Sequence, residues 1–517
     1  MKRRSALEGV GAALLLLSFD YLPFINPQSQ RLYHHGLPVT NLIGGLLIDL
    51  FVVAVVAASF LVAVRLLSQP ARRIIEAMFA GLVLWSIVEY AIRLQTGISY
   101  PSADLQRTWE WSAIPIPVLL GLLVYFLPRF IQPALRTFRL ALASLAFSAL
   151  WIVPQLIHLA LLRPPIQSAA SNHLNAPVTG SSNRRIVWIL FDELSYDQTF
   201  DHRDPGIELP NLDRLRGASV AFSNLEPAGY RTASIIPSLF LGQRFDKFRS
   251  TTYGGLSFWD ESERRWSAYD PNATLFGLAQ RSGWRSGVDG WFNPYCRILA
   301  PVINVCYSNV GRAFPLENYG ASEEKSMLAN SVALSNQLLA VPTHYTEADA
   351  DADILDYRNI MAHTQALIDD NQLRFVFFHL PTPHPPGIYD RRRHVLRPGG
   401  DYLDNLVLAD DTLGILMKEI EASPSASQTT VIVTSDHSWR VPMWRPGEEW
   451  TGEEERVSGG RFDNRPVLLI HFPGQKSGKD VHAALPEMLE HDMIAGMLLG
   501  QIDNSEDLDV FLSSAHR

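Results

Sequence analysis

Three apolar, strand-like runs in the second half of the chain end on residues that can bind a metal or a phosphate. IVWILF at 186–191 is followed by Asp192 and Glu193. VIVTS at 431–435 is followed by Asp436 and His437. FVFF at 375–378 is followed by His379 and, five residues on, by His384. Carboxylate oxygens together with imidazole nitrogens suit a divalent ion such as zinc or manganese. Taken singly each is weak, because an Asp after a strand often caps a helix and a lone His is more often packed or on the surface. Their recurrence is the signal, since open parallel sheets bind ligands beyond the carboxyl ends of their strands. A nucleophile candidate lies in GYRTASIIPSLFLG at 229–242, where Thr232 and Ser234 precede an apolar helical pattern. A hydroxyl there meets the positive end of the helix dipole, and a metal on Asp192, Asp436 and His437 would lower its pKa. The plainer alternative is that Thr232 only caps the helix.

Other side chains have weaker claims. Arg231 and Arg440 could grip phosphate oxygens bidentately, with a solvated surface role as the default. Arg391, Arg392 and Arg393 could meet anionic lipid head groups, although a solvated loop is the simpler reading. Cys296 and Cys306 are the two cysteines of the chain. In an oxidising compartment a disulfide clamping a surface loop is favoured over two buried thiols.

The elements that must carry these groups are short β-branched and aromatic runs, Val467–Phe472 being another. They alternate with helical patterns such as Asp353–Asp369 and Tyr402–Ala422. Strands buried on both faces and alternating with helices predict an α/β domain with a central, mostly parallel sheet over residues 185–517.

Of 517 residues, 47% are hydrophobic and 19% charged, fewer charges than the ~25% of soluble domains. Five long apolar segments fall before residue 163, at about 9–26, 42–64, 74–93, 112–131 and 140–162, each near the ~20 residues that span a bilayer as a helix. The sequence therefore predicts a five-span membrane domain over 1–163. A Pro-, Ser- and Asn-rich linker at 164–184 follows, then the globular domain. The first segment reads as an uncleaved anchor, because no small-x-small cleavage site follows it. Lys2, Arg3, Arg4, Arg65, Arg72, Arg73, Arg129, Arg136 and Arg139 fall on one side of these spans, and Arg31, Arg93 and Arg107 on the other. The positive-inside rule then predicts a cytoplasmic N-terminus and a globular domain outside, on the periplasmic side of a bacterial inner membrane. Asp20, Asp49 and Glu89 lie in or near spans; helix-end or paired positions explain them more simply than function. The net charge of −9 leaves no basic footprint for nucleic acid.

The order of segments resembles the alkaline phosphatase superfamily, in particular its sulfatase-like branch. The pieces that carry the resemblance are IVWILFDEL at 186–194, LPNLDRL at 209–215, TASIIPSLFLG at 232–242, HLPTPHPP at 379–386 and VIVTSDHS at 431–438. Five membrane helices before such a domain are also the layout of lipoteichoic acid synthase and of lipid A phosphoethanolamine transferases. The resemblance implies that Asp192, Asp436 and His437 are metal ligands and that Glu193 stands where sulfatases have a second acidic ligand. It implies that Thr232, by its distance to Gly242, is the nucleophile and itself meets the metal. His384 matches the second His of a His-x4-His-x-Pro element that contacts the phosphate or a second metal. A full second metal site cannot be assembled; His379, His384, Asp410 and His471 are its candidates. Position 232 is Thr and no Cys-x-Pro-Ser-Arg occurs, so formylglycine and sulfate-ester hydrolysis are not expected.

The first reading is a metal-dependent, membrane-bound phosphotransferase. It would move a phosphoethanolamine- or phosphoglycerol-type group from a membrane phospholipid, through Thr232, to a glycan or lipid acceptor. With water as acceptor the same first half-reaction makes a phosphodiesterase or phosphatase-type hydrolase. A non-catalytic membrane-anchored binding protein is the alternative of another class, opposed by the joint presence of Asp192, Thr232, Asp436 and His437. A transporter is less favoured still, since the spans carry few paired charges and no repeat.

Overall fold

The computed structural model describes residues 2–26, 31–96, 115–163, 184–251, 254–310, 322–339, 347–447 and 449–515. The chain divides into two compact units. The first holds residues 1–32, 36–166 and 312–345; the second holds Tyr33–His35, 167–311 and 346–517. Residues 164–183, most of the expected linker, lie outside the described residues.

The first unit is helical. Its described helices include α1 (Lys2–Leu16), continued by Ser18–Ile25, then α2 (Thr40–Val64), α3 (Gln69–Thr96), α4 (Pro115–Phe126) and α5 (Pro128–Leu145), which runs through a tight turn into α6 (Ala149–Leu161). Among the described residues two helical stretches, Thr40–Val64 and Gln132–Leu161, are long and apolar enough to cross a membrane. The other three expected spans are not among them, and of the one expected at 74–93 the side chains beyond residue 83 lie outside the described residues. Residues 9–26 divide between Leu16 and Ser18, and the second piece contains Asp20 and Pro23. The stretch expected at 112–131 is helical from Pro115 to Phe126, and a new helix starts at Pro128, because a proline cannot donate to the preceding turn. Asp20 and Asp49 are buried, and Asp49 accepts a hydrogen bond from Ser331 at 2.5 Å. The side chain of Glu89 lies outside the described residues. Arg4, Arg65 and Arg139, counted above as loop charges, converge on the buried Glu8, and Arg72 and Arg139 meet Glu76.

The second unit is built on an eight-stranded sheet. Its strands are β1 (Arg185–Phe191), β2 (Val220–Phe222), β3 (Arg285–Trp291), β4 (Val305–Asn309), β5 (Leu373–Leu380), β6 (Thr429–Ser435), β7 (Leu468–His471) and β8 (Lys479–Val481). The order across the sheet is β8-β2-β7-β6-β1-β5-β3-β4. β6, β1, β5, β3 and β4 run parallel, while β7 is antiparallel to both of its neighbours. The continuous apolar run of β1 follows from burial on both faces. Ile186, Trp188 and Leu190 join one core cluster with Phe240, Phe375 and Phe377. Val187, Ile189 and Phe191 join the opposite one with Val376, Phe378 and Val431. Helix α7 (Thr232–Leu241) packs into the first cluster. After it come α8 (Met327–Leu339), assigned to the first unit, α9 (Glu347–Asp369) and α10 (Tyr402–Ala422).

Candidate active site

Strand register brings the metal-binding side chains together. β1 pairs with β6 in parallel, Phe191 beside Ser435, so the next residues, Asp192 and Asp436, emerge side by side. On the other flank Leu190 pairs with His379 of β5. α7 begins at Thr232, where first-turn N–H groups lack intrahelical partners. It ends at Gly242 in the left-handed conformation (φ +72°), where a Cβ would meet the His491 ring at 2.6 Å. The glycine that closes the threonine motif is thus required by backbone conformation and by packing.

Asp192, Asp436 and His437 each offer one ligand atom, and these atoms lie within 4.8 Å of one another. Thr232 Oγ1 is 3.4 Å from Asp192 Oδ2 and 3.2 Å from His437 Nε2. All four side chains are buried. Asp436 Oδ1 accepts from the backbone N–H groups of His437 (3.0 Å) and Glu193 (3.3 Å), which aims Oδ2 inward. His437 Nδ1 lies 3.1 Å from the Ser438 carbonyl; donation there leaves the Nε2 lone pair for a cation or a proton. His379 joins the cluster, its Nε2 3.4 Å from Asp192 Oδ2 and its Nδ1 2.7 Å from the Tyr295 hydroxyl.

Does this set fit a divalent ion? Asp192 Oδ1, Asp436 Oδ2 and His379 Nε2 are buried and have no hydrogen-bond partner. Such groups are costly unless a cation satisfies them. Burial pushes Asp192 up to about 8, with Glu193 adding repulsion, and Asp436 up to about 8, with Asp192 adding repulsion. Burial holds His379 down to about 4 and His437 well below the usual imidazole range, with Arg440 also opposing His437 protonation. Neutral imidazoles beside two crowded carboxylates are the donors a metal requires.

Several expected residues are placed elsewhere. Glu193, expected as a further acidic ligand, adopts a left-handed backbone (φ 65°). Its carboxylate accepts from Arg440 Nε and from Trp444 Nε1 (2.9 and 3.0 Å). Arg440, expected to reach phosphate, is buried in that ion pair. Burial still raises the Glu193 pKa, outweighing the guanidinium beside it. Arg231 is exposed as the residue before α7. His384 is half-buried, with its ring 5.2 Å from those of both Trp291 and Trp444. Asp410 accepts from the backbone of Leu212 (2.7 Å) and from Asn211, a structural role. His471 bonds the Ala218 carbonyl. Arg391 is committed to Asp404 and Glu453, and Arg393 faces Asp390. Cys296 and Cys306 form a disulfide between a short helix and β4.

Sequence reasoning missed the groups behind the nucleophile. Asn293 Nδ2 reaches the Thr232 carbonyl (3.5 Å) and the Tyr295 hydroxyl (3.4 Å). The Tyr33 hydroxyl donates to Asn293 Oδ1 at 3.2 Å. Tyr33 and Asn293 are both fully buried. Asn293 follows β3, whose sequence RSGVDGW is broken by glycines and an aspartate and so lacks the apolar-run signature. Tyr33 lies in a short helix, Arg31–His35, and no local pattern marks it.

A protein-family model described as Sulfatase matches residues 184–498. The chain belongs to the sulfatase family. It is a sulfatase-like enzyme of the alkaline phosphatase superfamily, as the order of its segments implied. Comparison with the curated proteins found no match. Among solved structures the chain is similar to the PsFucS1 sulfatase from Pseudoalteromonas sp. (15% identity, 62% of this chain and 68% of that one, TM-score 0.41). It is also similar to the lipoteichoic acid synthase LtaP from Listeria monocytogenes (11%, 61% and 72%, 0.38). A third is the phosphonate monoester hydrolase of Agrobacterium radiobacter (13%, 61% and 73%, 0.36).

Proposed function

We propose that this sulfatase-family enzyme is a membrane-anchored phosphotransferase. It takes a phosphoethanolamine- or phosphoglycerol-type group from a phospholipid onto Thr232 and passes it to a glycan or lipid acceptor. The observation that carries the reading is the Thr232 hydroxyl, held within 3.4 Å of Asp192 and 3.2 Å of His437 at the start of α7. Asp192, Asp436 and His437 would hold a zinc or manganese ion, with His379 adjacent. When bound, that ion supplies positive charge that favours the threonine alkoxide and the charge on a phosphoryl group. The chain's own groups do the rest. Asp192 Oδ2, 3.4 Å from Oγ1, accepts the Thr232 proton and passes it to the departing lipid alkoxide, which leaves the His437 Nε2 lone pair for the ion. Oγ1 then attacks phosphorus, the Oγ1–P bond forms, and the bond to the lipid alcohol breaks in line, releasing diacylglycerol. The first-turn amides of α7 and its dipole favour the phosphoryl oxygens. Attack by an acceptor hydroxyl returns Thr232; with water as acceptor the enzyme is a hydrolase.

The anchor reading rests on α2 and the 132–161 stretch as membrane helices. A periplasmic position for the sulfatase unit, at a bacterial inner membrane, rests in addition on the charge asymmetry of the loops and on the odd number of spans expected from the sequence, because two spans alone would leave the unit on the side of the N-terminus. Purified full-length enzyme in lipid nanodiscs, given head-group-labelled phospholipid, is expected to release diacylglycerol and to carry label on Thr232 by peptide mapping. Thr232→Ala should lower turnover by at least about a thousandfold, as loss of a nucleophile does. Retained turnover in that variant, with no labelled threonine in the parent enzyme, would refute the assignment.

A further inference from the structure

The sequence contains a membrane-contacting candidate in the middle of its globular half. Of residues 312–345, which cluster with the helical unit rather than with the sulfatase unit, 322–339 are described. Within them α8 (Met327–Leu339) lies along α2. At the N-terminal end of α2, Glu323 accepts from the backbone N–H groups of Asn41 (2.8 Å) and Leu42 (3.1 Å). This carboxylate satisfies amides that a helix start leaves free and complements the dipole there. One turn on, Gly44 and Gly45 let the helices touch: a Cβ on Gly44 would meet Met327 at 2.5 Å, and one on Gly45 would meet Asn330 at 2.7 Å. Deeper still, Ser331 donates to Asp49 and Leu334 is buried in the same apolar cluster as Leu42, Ile43, Leu46 and Leu50.

The two helices therefore run side by side in the same direction. The contact advances eight residues along α2, from Asn41 to Asp49, or ~12 Å at 1.5 Å per residue. A leaflet of hydrocarbon is about 15 Å deep. The polar residues Asn330 and Ser331 face inward and are buried. Leu328 and Val332, one helical turn apart, are 67% and 58% exposed. On α2 itself Phe51, Val52, Val55 and Val56 are exposed as well. α8 thus exposes apolar side chains beside a helix that exposes its own and is long and apolar enough to cross a membrane.

We propose that α8 is embedded beside α2 in the bilayer leaflet at the N-terminal end of α2, with Leu328 and Val332 against lipid acyl chains. The sulfatase unit then has a membrane attachment within its own sequence, in addition to the one at its N-terminal end. This rests on the membrane reading of α2. The chain is suited to a labelling test because no free cysteine is present among the described residues and the two in the sequence are bonded to each other. Full-length protein in nanodiscs would carry a bimane label at Leu328→Cys, Val332→Cys, Phe51→Cys or Glu261→Cys, the last an exposed position on the sulfatase unit. Quenchers would be a nitroxide on the lipid acyl chain and aqueous iodide. Acyl quenching at 328 and 332 severalfold above that at 261, close to that at 51, and protection from iodide, is the expected result. Quenching at 51 with 328 and 332 behaving like 261 overturns the proposal while the anchor stands. Labels at 328 and 332 shielded from both quenchers mean a protein cover, from this chain or a second copy, and overturn it too. Absence of acyl quenching at 51 removes the membrane reading of α2 and the proposal with it.

Discussion

Glu193 and Arg440 offer a sharp test of which carboxylates serve a metal and which serve the fold. In Arg440→Met the fully buried Glu193 carboxylate keeps Trp444 and loses its cation. Stranding a buried charge in this way costs about 3–5 kcal/mol. Glu193→Gln retains an acceptor for Trp444 and loses a charge-assisted bond, a cost of about 1.5–3 kcal/mol. Removing both charges with Glu193→Gln/Arg440→Met should cost less than the sum of the singles by at least about 2 kcal/mol. At roughly 1.5 °C per kcal/mol for a unit of about 320 residues, Arg440→Met lowers the Tm by about 4–8 °C. The loss should shrink as pH falls, since protonation neutralises the stranded carboxyl, whose pKa burial already raises. Thermal melts of the zinc-loaded full chain supply the stabilities, and elemental analysis of the same samples supplies metal content. Glu193→Gln is expected to keep its metal, and Asp436→Asn to lose it. If Glu193→Gln instead loses zinc as completely as Asp436→Asn while its Tm stays at the parent value, then Glu193 is a ligand and the reasoning from its ion pair is wrong.

Metal uptake should tighten as pH rises, because burial holds Asp192 and Asp436 up at about 8 and the ion must displace their protons. Competitive zinc titrations from about pH 6 to about pH 8 should approach a hundredfold gain per unit where both carboxyls start protonated; a flat profile would count against these ligands. In metal-free protein the sign reverses. Carboxyls with raised folded pKa values contribute stability that is present below about pH 4 and lost as pH rises toward about 8, so chelated samples should melt lower at the alkaline end. The Cys296–Cys306 bridge closes a loop with a sequence separation of 10, which chain-entropy bookkeeping values at about 2.7 kcal/mol. Replacing both cysteines by serine should cost about that in melts, and an unchanged Tm would contradict it. Tyr33→Phe removes the hydroxyl that donates to Asn293 behind Thr232. We expect kcat to fall about tenfold with KM unchanged, at temperatures where the variant is folded, whereas equal loss in both constants would mark a general packing defect.

Much of the site was legible because it is written locally. A strand buried on both faces must be apolar, so Asp192 after Phe191 and Asp436 after Ser435 stand out as polar residues at strand ends. The helix start at Thr232 and its end at Gly242 are likewise marked by residue type. The lengths of the apolar segments, and the alternation of strand-like runs with helical patterns, marked a helical, apolar first part and an α/β second part. The direction of β7, the strand character of RSGVDGW and the number of helices that meet the measure of a span were not legible. Each depends on neighbours distant in sequence or on where a proline interrupts an apolar run.

Tertiary structure alone decided how similar-looking groups divide their work. Asp192 and Glu193 are adjacent carboxylates, yet a left-handed backbone turns the second toward Arg440 and Trp444 and leaves the first beside Thr232. Tyr33 joins the sulfatase core, and residues 312–345 join the helical unit, against the order of the sequence. The physical reason is the same in each case. Periodicity and residue type determine which elements form and which end of a strand carries a ligand. The partner that satisfies a buried charge or hydroxyl is chosen by packing across the whole chain.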